Sequence, residues 1–106
     1  MTIYALSSGS GISGIAVIRV SGKKTAKVIK KITGQGLPRP RMATLRKFNK
    51  NGGKEPIDEG VIIWFPGPNS YTGEDLAEFH VHGSTAVIKA MHSSICLLYT
   101  SDAADE

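Results

Sequence analysis

Val61-Ile62-Ile63-Trp64-Phe65-Pro66-Gly67-Pro68-Asn69-Ser70-Tyr71-Thr72-Gly73-Glu74-Asp75 is the stretch on which the reading of this 106-residue chain turns. Its first five residues form a short, fully apolar run of β-branched and aromatic side chains, the pattern of a buried central strand. Pro66-Gly67-Pro68-Asn69-Ser70 stops that strand abruptly: the two prolines fix the backbone, and Gly67 and Gly73 allow sharp reversals. A stiff, aromatic-flanked loop is costly to maintain as a mere connection, and this one ends in carboxylates. Glu74 and Asp75 close it, and Glu78 follows inside the next expected strand, Leu76 to Val81.

Outward from this segment, Ser84 is the expected cap of a helix over about residues 85–95, with Val87, Ile88, Met91 and Ile95 on one face. Upstream, Asn51-Gly52-Gly53 signals a turn inside a longer loop between antiparallel strands. Arg41 to Phe48 alternates as a strand, and Gly36-Leu37-Pro38-Arg39-Pro40 is an extended connector, because proline disfavours helix at the residue before it. Ser21 is the expected N-cap of a helix over roughly residues 22–32, ended by Thr33-Gly34. Ala26, Val28, Ile29 and Ile32 give that helix an apolar side, and Lys23, Lys24, Lys27, Lys30 and Lys31 crowd the rest. Ile15 to Val20 is a β-branched strand interrupted by Arg19, and residues 2–7 alternate weakly as a first strand. The expected order is β-β-α-β-β-β-α, an α+β layer fold with helices on one side of a sheet.

A single domain is all that this length allows, near the margin of independent stability. Apolar content of 41% and charged content of 21% are those of an ordinary globular protein. No apolar run approaches the ~18–20 residues needed to span a bilayer, and Met1 to Ala5 does not read as a secretory signal, so a cytoplasmic location is expected. The lone Cys96 rules out a disulfide within the chain. All 13 basic residues but only 6 of the 9 acids fall in residues 1–95, a net of +7 against +4 for the whole chain. A basic body suits an anionic partner such as RNA or a polyglutamylated cofactor, and equally suits a plain solvated lysine face. Residues 96–106 continue no periodicity and reverse the local charge. They are expected to be a non-native tail, translated from adapter or vector DNA, and residues 1–95 are expected to be a domain that is incomplete at its C-terminal end.

Three patterns bear on chemistry. Gly9-x-Gly11-x-x-Gly14 formally matches a dinucleotide-binding fingerprint, but that motif needs a helix opening at its third glycine, and Gly14 leads into a strand. A loop closing over some other ligand remains open. His80-x-His82 places two imidazoles on one strand face, yet no further ligand has a recognised spacing, so no metal site is expected. Finally, a half-buried Glu78 needs a donor. Arg19 is one candidate, through an internal salt bridge; a flat ligand with a guanidine-like edge, such as a pterin, is the other.

The segments Gly14 to Gly22, Leu37-Pro38-Arg39-Pro40-Arg41 and, above all, Trp64 to Asp75 resemble the N-terminus of the tRNA uridine-5-carboxymethylaminomethyl modification GTPases, the MnmE/TrmE family. Glu78-Phe79-His80-Val81-His82-Gly83 is similar to that family's Glu-x-x-x-His-Gly element, with Ser84 in place of a second glycine and Val81 where many members have cysteine. The resemblance covers about residues 2–95. It implies a fold similar to the folate-binding subdomain of glycine-cleavage aminomethyltransferases and a homodimer formed through this domain. It also implies a tetrahydrofolate derivative, in the 5-formyl or 5,10-methylene form, that supplies the one-carbon unit placed on C5 of the wobble uridine. Arg19 and Glu78 match the residues that contact that folate. For the full-length protein the implied partners are tRNA and an FAD-dependent modification protein. GTP, magnesium and potassium belong to a GTPase domain, and no Gly-x-x-x-x-Gly-Lys-Ser/Thr phosphate loop occurs in this sequence, so no GTP hydrolysis is expected of it. Two other readings stand beside the folate module: a ligand-free dimerisation module and a small basic RNA-binding domain.

Overall fold

β-Branched residues dominate Ile15–Ser21, and every second one turns inward: Ala16, Ile18 and Val20 are fully buried. In the computed structural model, which describes residues 2–8, 14–50, 53–70 and 72–104, this segment is β2. The element order is β1 (Thr2–Ser8), β2, α1 (Thr25–Thr33), β3 (Thr44–Asn49), β4 (Pro56–Phe65), β5 (Leu76–His82) and α2 (Thr85–Ala104). That is the expected β-β-α-β-β-β-α order of an α+β fold. The strands form one five-stranded sheet in the order β1-β2-β5-β4-β3, antiparallel at each strand pair.

Both helices pack on the same face of that sheet. Val28, Ile29 and Ile32 of α1 and Met91 and Ile95 of α2 share one buried cluster with Ile18, Val20, Ile62, Trp64, Ala77 and Phe79. Phe48 meets Phe79 edge to face at 5.3 Å between ring centroids, a geometry aromatic rings prefer. The apolar half of β4, Val61–Phe65, is the part that has β5 beside it. Pro56–Gly60 extends the strand against β3 alone, which is why that half carries polar residues and was not legible as strand.

Three boundaries differ from the sequence reading, each because of a tertiary contact. Ser21 does not cap α1; it is the last residue of β2, and the N-cap position is Lys24, without a side-chain cap. Gly22 turns the chain first, its N–H held by the Asp75 carbonyl at 3.0 Å, and Thr25 Oγ donates back to the Gly22 carbonyl at 2.9 Å. At its other end α1 finishes as expected at Gly34, whose N–H reaches the Lys30 carbonyl. Strand β3 starts at Thr44 because Pro40 and Arg41 bind to the end of β4 instead, Arg41 donating its N–H to the Trp64 carbonyl at 2.8 Å. Helix α2 is capped by Ser84, whose Oγ accepts the Val87 N–H, but it does not stop near residue 95. It continues to Ala104, with Leu98 and Tyr99 packed against the core and the Tyr99 hydroxyl accepting the Lys24 N–H at 3.4 Å. The glycine-rich loop at residues 9–13 and the Asn51-Gly52 turn lie outside the described residues; Gly14 leads into strand, as the fingerprint argument requires.

Phe79 sits at the centre of this core. Phe79→Ala removes a fully buried ring and its partner contact, so an equilibrium urea titration should record a loss of ~3–5 kcal/mol. A loss below about 1 kcal/mol would contradict this packing.

Candidate functional site

β5 is flanked by β2 on one side and β4 on the other, so its two faces have different duties. Ala77, Phe79 and Val81 turn to the helices; Glu78, His80 and His82 turn to the opposite face, which no described helix covers. Cross-strand partners share a face, so two rows run across it. One is Ile63–Glu78–Arg19, and the other is Leu45–Val61–His80–Val17.

Arg19 and Glu78 stand directly opposite each other, and Arg19 Nε donates to Glu78 Oε2 at 2.8 Å. The second carboxylate oxygen, Oε1, is 3.0 Å from His80 Nε2. Of the two donors that the sequence left open for Glu78, the internal arginine is present, and His80 adds a second. Burial alone would push the Glu78 carboxyl up. The hydrogen bonds from Arg19 and His80 and the Arg19 charge outweigh it, and the group ends below its ordinary value. Side-chain exposure of 29% for Arg19, 16% for Glu78 and 30% for His80 leaves the trio reachable from solvent.

The other two carboxylates of the decisive loop have different places. Asp75 is a structural clasp: its Oδ1 accepts the Gly67 N–H at 2.9 Å, and its carbonyl accepts the Gly22 N–H. Glu74 is exposed, with its carbonyl accepting the Ser70 hydroxyl. Gly67 fits closely against this returning limb, where an added Cβ would stand 3.0 Å from the Gly73 oxygen and the Glu74 carbonyl carbon. Arg41 joins the same loop to the proline connector, its Nη2 bonding the Asn69 carbonyl at 2.5 Å. The two proline-rich motifs, 25 residues apart in sequence, are thereby one structural unit.

Two residues that sequence reading did not select belong here. Asp58 grips His82, accepting its backbone N–H at 2.9 Å and lying 2.8 Å from Nδ1. This bond takes over where the β4–β5 ladder ends at Val61–His80. At Gly60, a Cβ would stand 2.1 Å from the His80 carbonyl oxygen, so only glycine lets β4 run this close to β5. Burial opposes ionisation of Asp58, but its hydrogen bonds to His82 and Glu59 prevail and hold its carboxyl below the ordinary value. The His-Gly pair has its own explanation: Gly83 donates its N–H to the Gly14 carbonyl at 2.8 Å, and an added Cβ would meet that oxygen at 2.7 Å. Among the described residues no three His, Cys, Asp or Glu side chains gather as metal ligands, and no helix is long and apolar enough to cross a membrane.

Comparison with known proteins matches residues 2–104 to the family described as the N-terminus of the GTP-binding protein TrmE. The chain belongs to this family. It is 65% identical over 105 residues to the tRNA modification GTPase MnmE of Pelagibacter ubique, covering 99% of this chain and 24% of that protein. Identity to the mitochondrial 5-taurinomethyluridine-[tRNA] synthase subunit GTPB3 of Danio rerio is 52% over 90 residues, 85% of this chain and 18% of that one. The MnmE of a Bradyrhizobium species is 48% identical over 104 residues, 98% of this chain and 23% of its own. The chain thus spans about a quarter or less of the length of these curated relatives, as their N-terminal domain.

Because the folded-state ionisation of Glu78 is favoured, its contribution to stability is present above its ordinary value of 4.5 and is lost as pH falls through the lower folded value. Thermal melts of the wild type and Glu78→Gln should differ at pH 7 by about 1 kcal/mol, and the gap should narrow as the pH falls below 4.5. A gap that does not change with pH would remove the charged hydrogen bonds from the account.

Proposed function

We propose that this domain binds a reduced folate at the uncovered face of the sheet, with Arg19 and Glu78 as its polar anchors. The folate is a 5-formyl or 5,10-methylene tetrahydrofolate. In the longer protein it serves as the one-carbon donor for 5-carboxymethylaminomethylation of the wobble uridine of tRNA. The observation that carries the reading is the accessible Arg19–Glu78–His80 trio, set in a row with Ile63 and beside Val17 and Val61. A carboxylate presents parallel acceptors to the guanidine-like edge of a pterin, and adjoining apolar side chains cover its flat ring. Membership of a family whose relatives are tRNA modification GTPases supports tRNA as the substrate class of the longer protein. GTP, magnesium and potassium are assigned to the rest of the longer protein, together with tRNA and the FAD-dependent partner.

The same face supports a second part of the reading, a homodimer. Ile15 and Leu45 are 54% and 63% exposed on strands whose other faces are buried, and large apolar side chains exposed on one sheet face favour a protein partner. Sedimentation should show a dimer, and Leu45→Glu should shift it toward monomer; a monomer at all concentrations would end this part.

Isothermal titration with 5-formyltetrahydrofolate tests the site. Arg19→Ala and Glu78→Gln should each weaken binding by ~1–3 kcal/mol, roughly 5- to 150-fold, while both variants still melt cooperatively. Unchanged affinity in both sinks the site assignment, and no binding by the folded wild type favours a ligand-free dimerisation module.

A further inference from the structure

The lysines of α1 are not absorbed by the folate reading. They lie on the helix layer, across the sheet from Arg19 and Glu78. Val28, Ile29 and Ile32 face the core, Lys27, Lys30 and Lys31 are exposed on the outside of the helix, and Lys23 is exposed in the turn before it. Together with Lys24 and Ala26 they line an open concavity of about 670 Å³. Neither helix has an acid in its first turn. The six acids outside the last eleven residues all fall on β4, β5 and their loops.

Helix stability alone does not account for this arrangement. Lys30 and Lys31 suit the C-terminal end of the helix dipole, but Lys23 and Lys24 stand at the end where cations are disfavoured. Within the helix Lys27 and Lys31 are a like-charge pair at i,i+4, which costs ~0.2–0.5 kcal/mol. An external polyanion reverses the sign of every one of these terms.

We infer that the lysine face of α1 is a docking surface for the phosphodiester backbone of tRNA. The exposed ammonium groups of Lys27, Lys30 and Lys31 cover about 6 Å of helix, at 1.5 Å per residue, and exposed Lys23 in the preceding turn extends the row to the reach of a few successive phosphates. Among the described residues the lining is five lysines and Ala26, a surface rich in charge and poor in groups that insert into a bilayer or stack on bases. Contact is therefore to backbone charge and not to sequence, the mode suited to structured RNA. The choice of RNA rests on the tRNA-modification reading above. Because folate and RNA take opposite sides of the sheet, the two ligands do not compete.

The test is fluorescence anisotropy of an unmodified tRNA transcript with the 106-residue chain between 50 and 200 mM KCl. Converting Lys23, Lys27, Lys30 and Lys31 to Gln should weaken binding at 50 mM KCl by tenfold or more. The slope of log affinity against log salt should fall by ~3, at 0.7–0.9 per lost phosphate contact. Converting Lys47, Lys50 and Lys54 to Gln, on and beyond β3, should change affinity less than twofold. The double variant Lys23→Gln/Lys27→Gln, with a slope lower by ~1.5, covers failure of the fourfold variant to fold. Equal losses from both lysine sets, no loss from either, or equal binding of phosphatidylglycerol vesicles through the same lysines each overturn the inference. A 5-formyltetrahydrofolate titration of the same samples separates the two readings. Folate binding that survives loss of the lysines leaves the folate site standing, whatever the RNA result.

Discussion

Everything in this fold depends on β5 serving two faces at once. Its odd residues, Ala77, Phe79 and Val81, fill the core beneath the helices, and its even residues hold Arg19 and Asp58 through Glu78 and His82. A one-residue slip in its pairing with β2 would put Glu78 into the core and Phe79 into solvent. The Arg19–Glu78 pair therefore specifies register as well as standing at the proposed site: only in register do the two side chains face each other at 2.8 Å. A partly buried ion pair adds little net stability, since desolvation offsets much of the attraction. Its weight lies in the penalty that removing one partner imposes.

Around that strand, the remaining motifs act as clasps. Asp75 fastens the Pro-Gly-Pro loop to Gly67 and, through its carbonyl, to the turn before α1. Arg41 fastens the connector to the same loop. Asp58 and Gly60 let β4 approach β5 and then hold its end. Asp75 and Arg41 join segments distant in sequence at the Ser21–Leu76 end of the strands, and Asp58 does so at the Ile15–His82 end, so the uncovered face is framed at both ends.

Much of this was legible in the sequence. The β-branched run Ile15–Val20, the apolar run Val61–Phe65, the strand pattern of Leu76–Val81 and the one-sided apolar pattern of α1 pointed to the element order, and Arg19 and Glu78 stood out as charges inside strands. What escaped has a common physical origin. Ser21 resembles a cap by type, but the turn at Gly22 depends on the Asp75 carbonyl, a contact 53 residues away in sequence. Pro56–Gly60 reads as loop because its partner is β3 alone, and only pairing makes it strand. Helix α2 runs on past Ile95 because Leu98 and Tyr99 find the core, which periodicity over the polar residues Thr100 to Asp102 did not reveal. Asp58 could not be linked to His82, 24 residues on, without the sheet register.

The central claim is that β5's uncovered face, with Arg19 and Glu78, is where a reduced folate binds. An amide chemical-shift map of the ¹⁵N-labelled chain titrated with 5-formyltetrahydrofolate tests it most directly. The account predicts saturable shifts centred on residues 17–20, 61–65 and 77–81, with α1 little changed. Shifts centred on α1 and α2, with those strands silent, would contradict it.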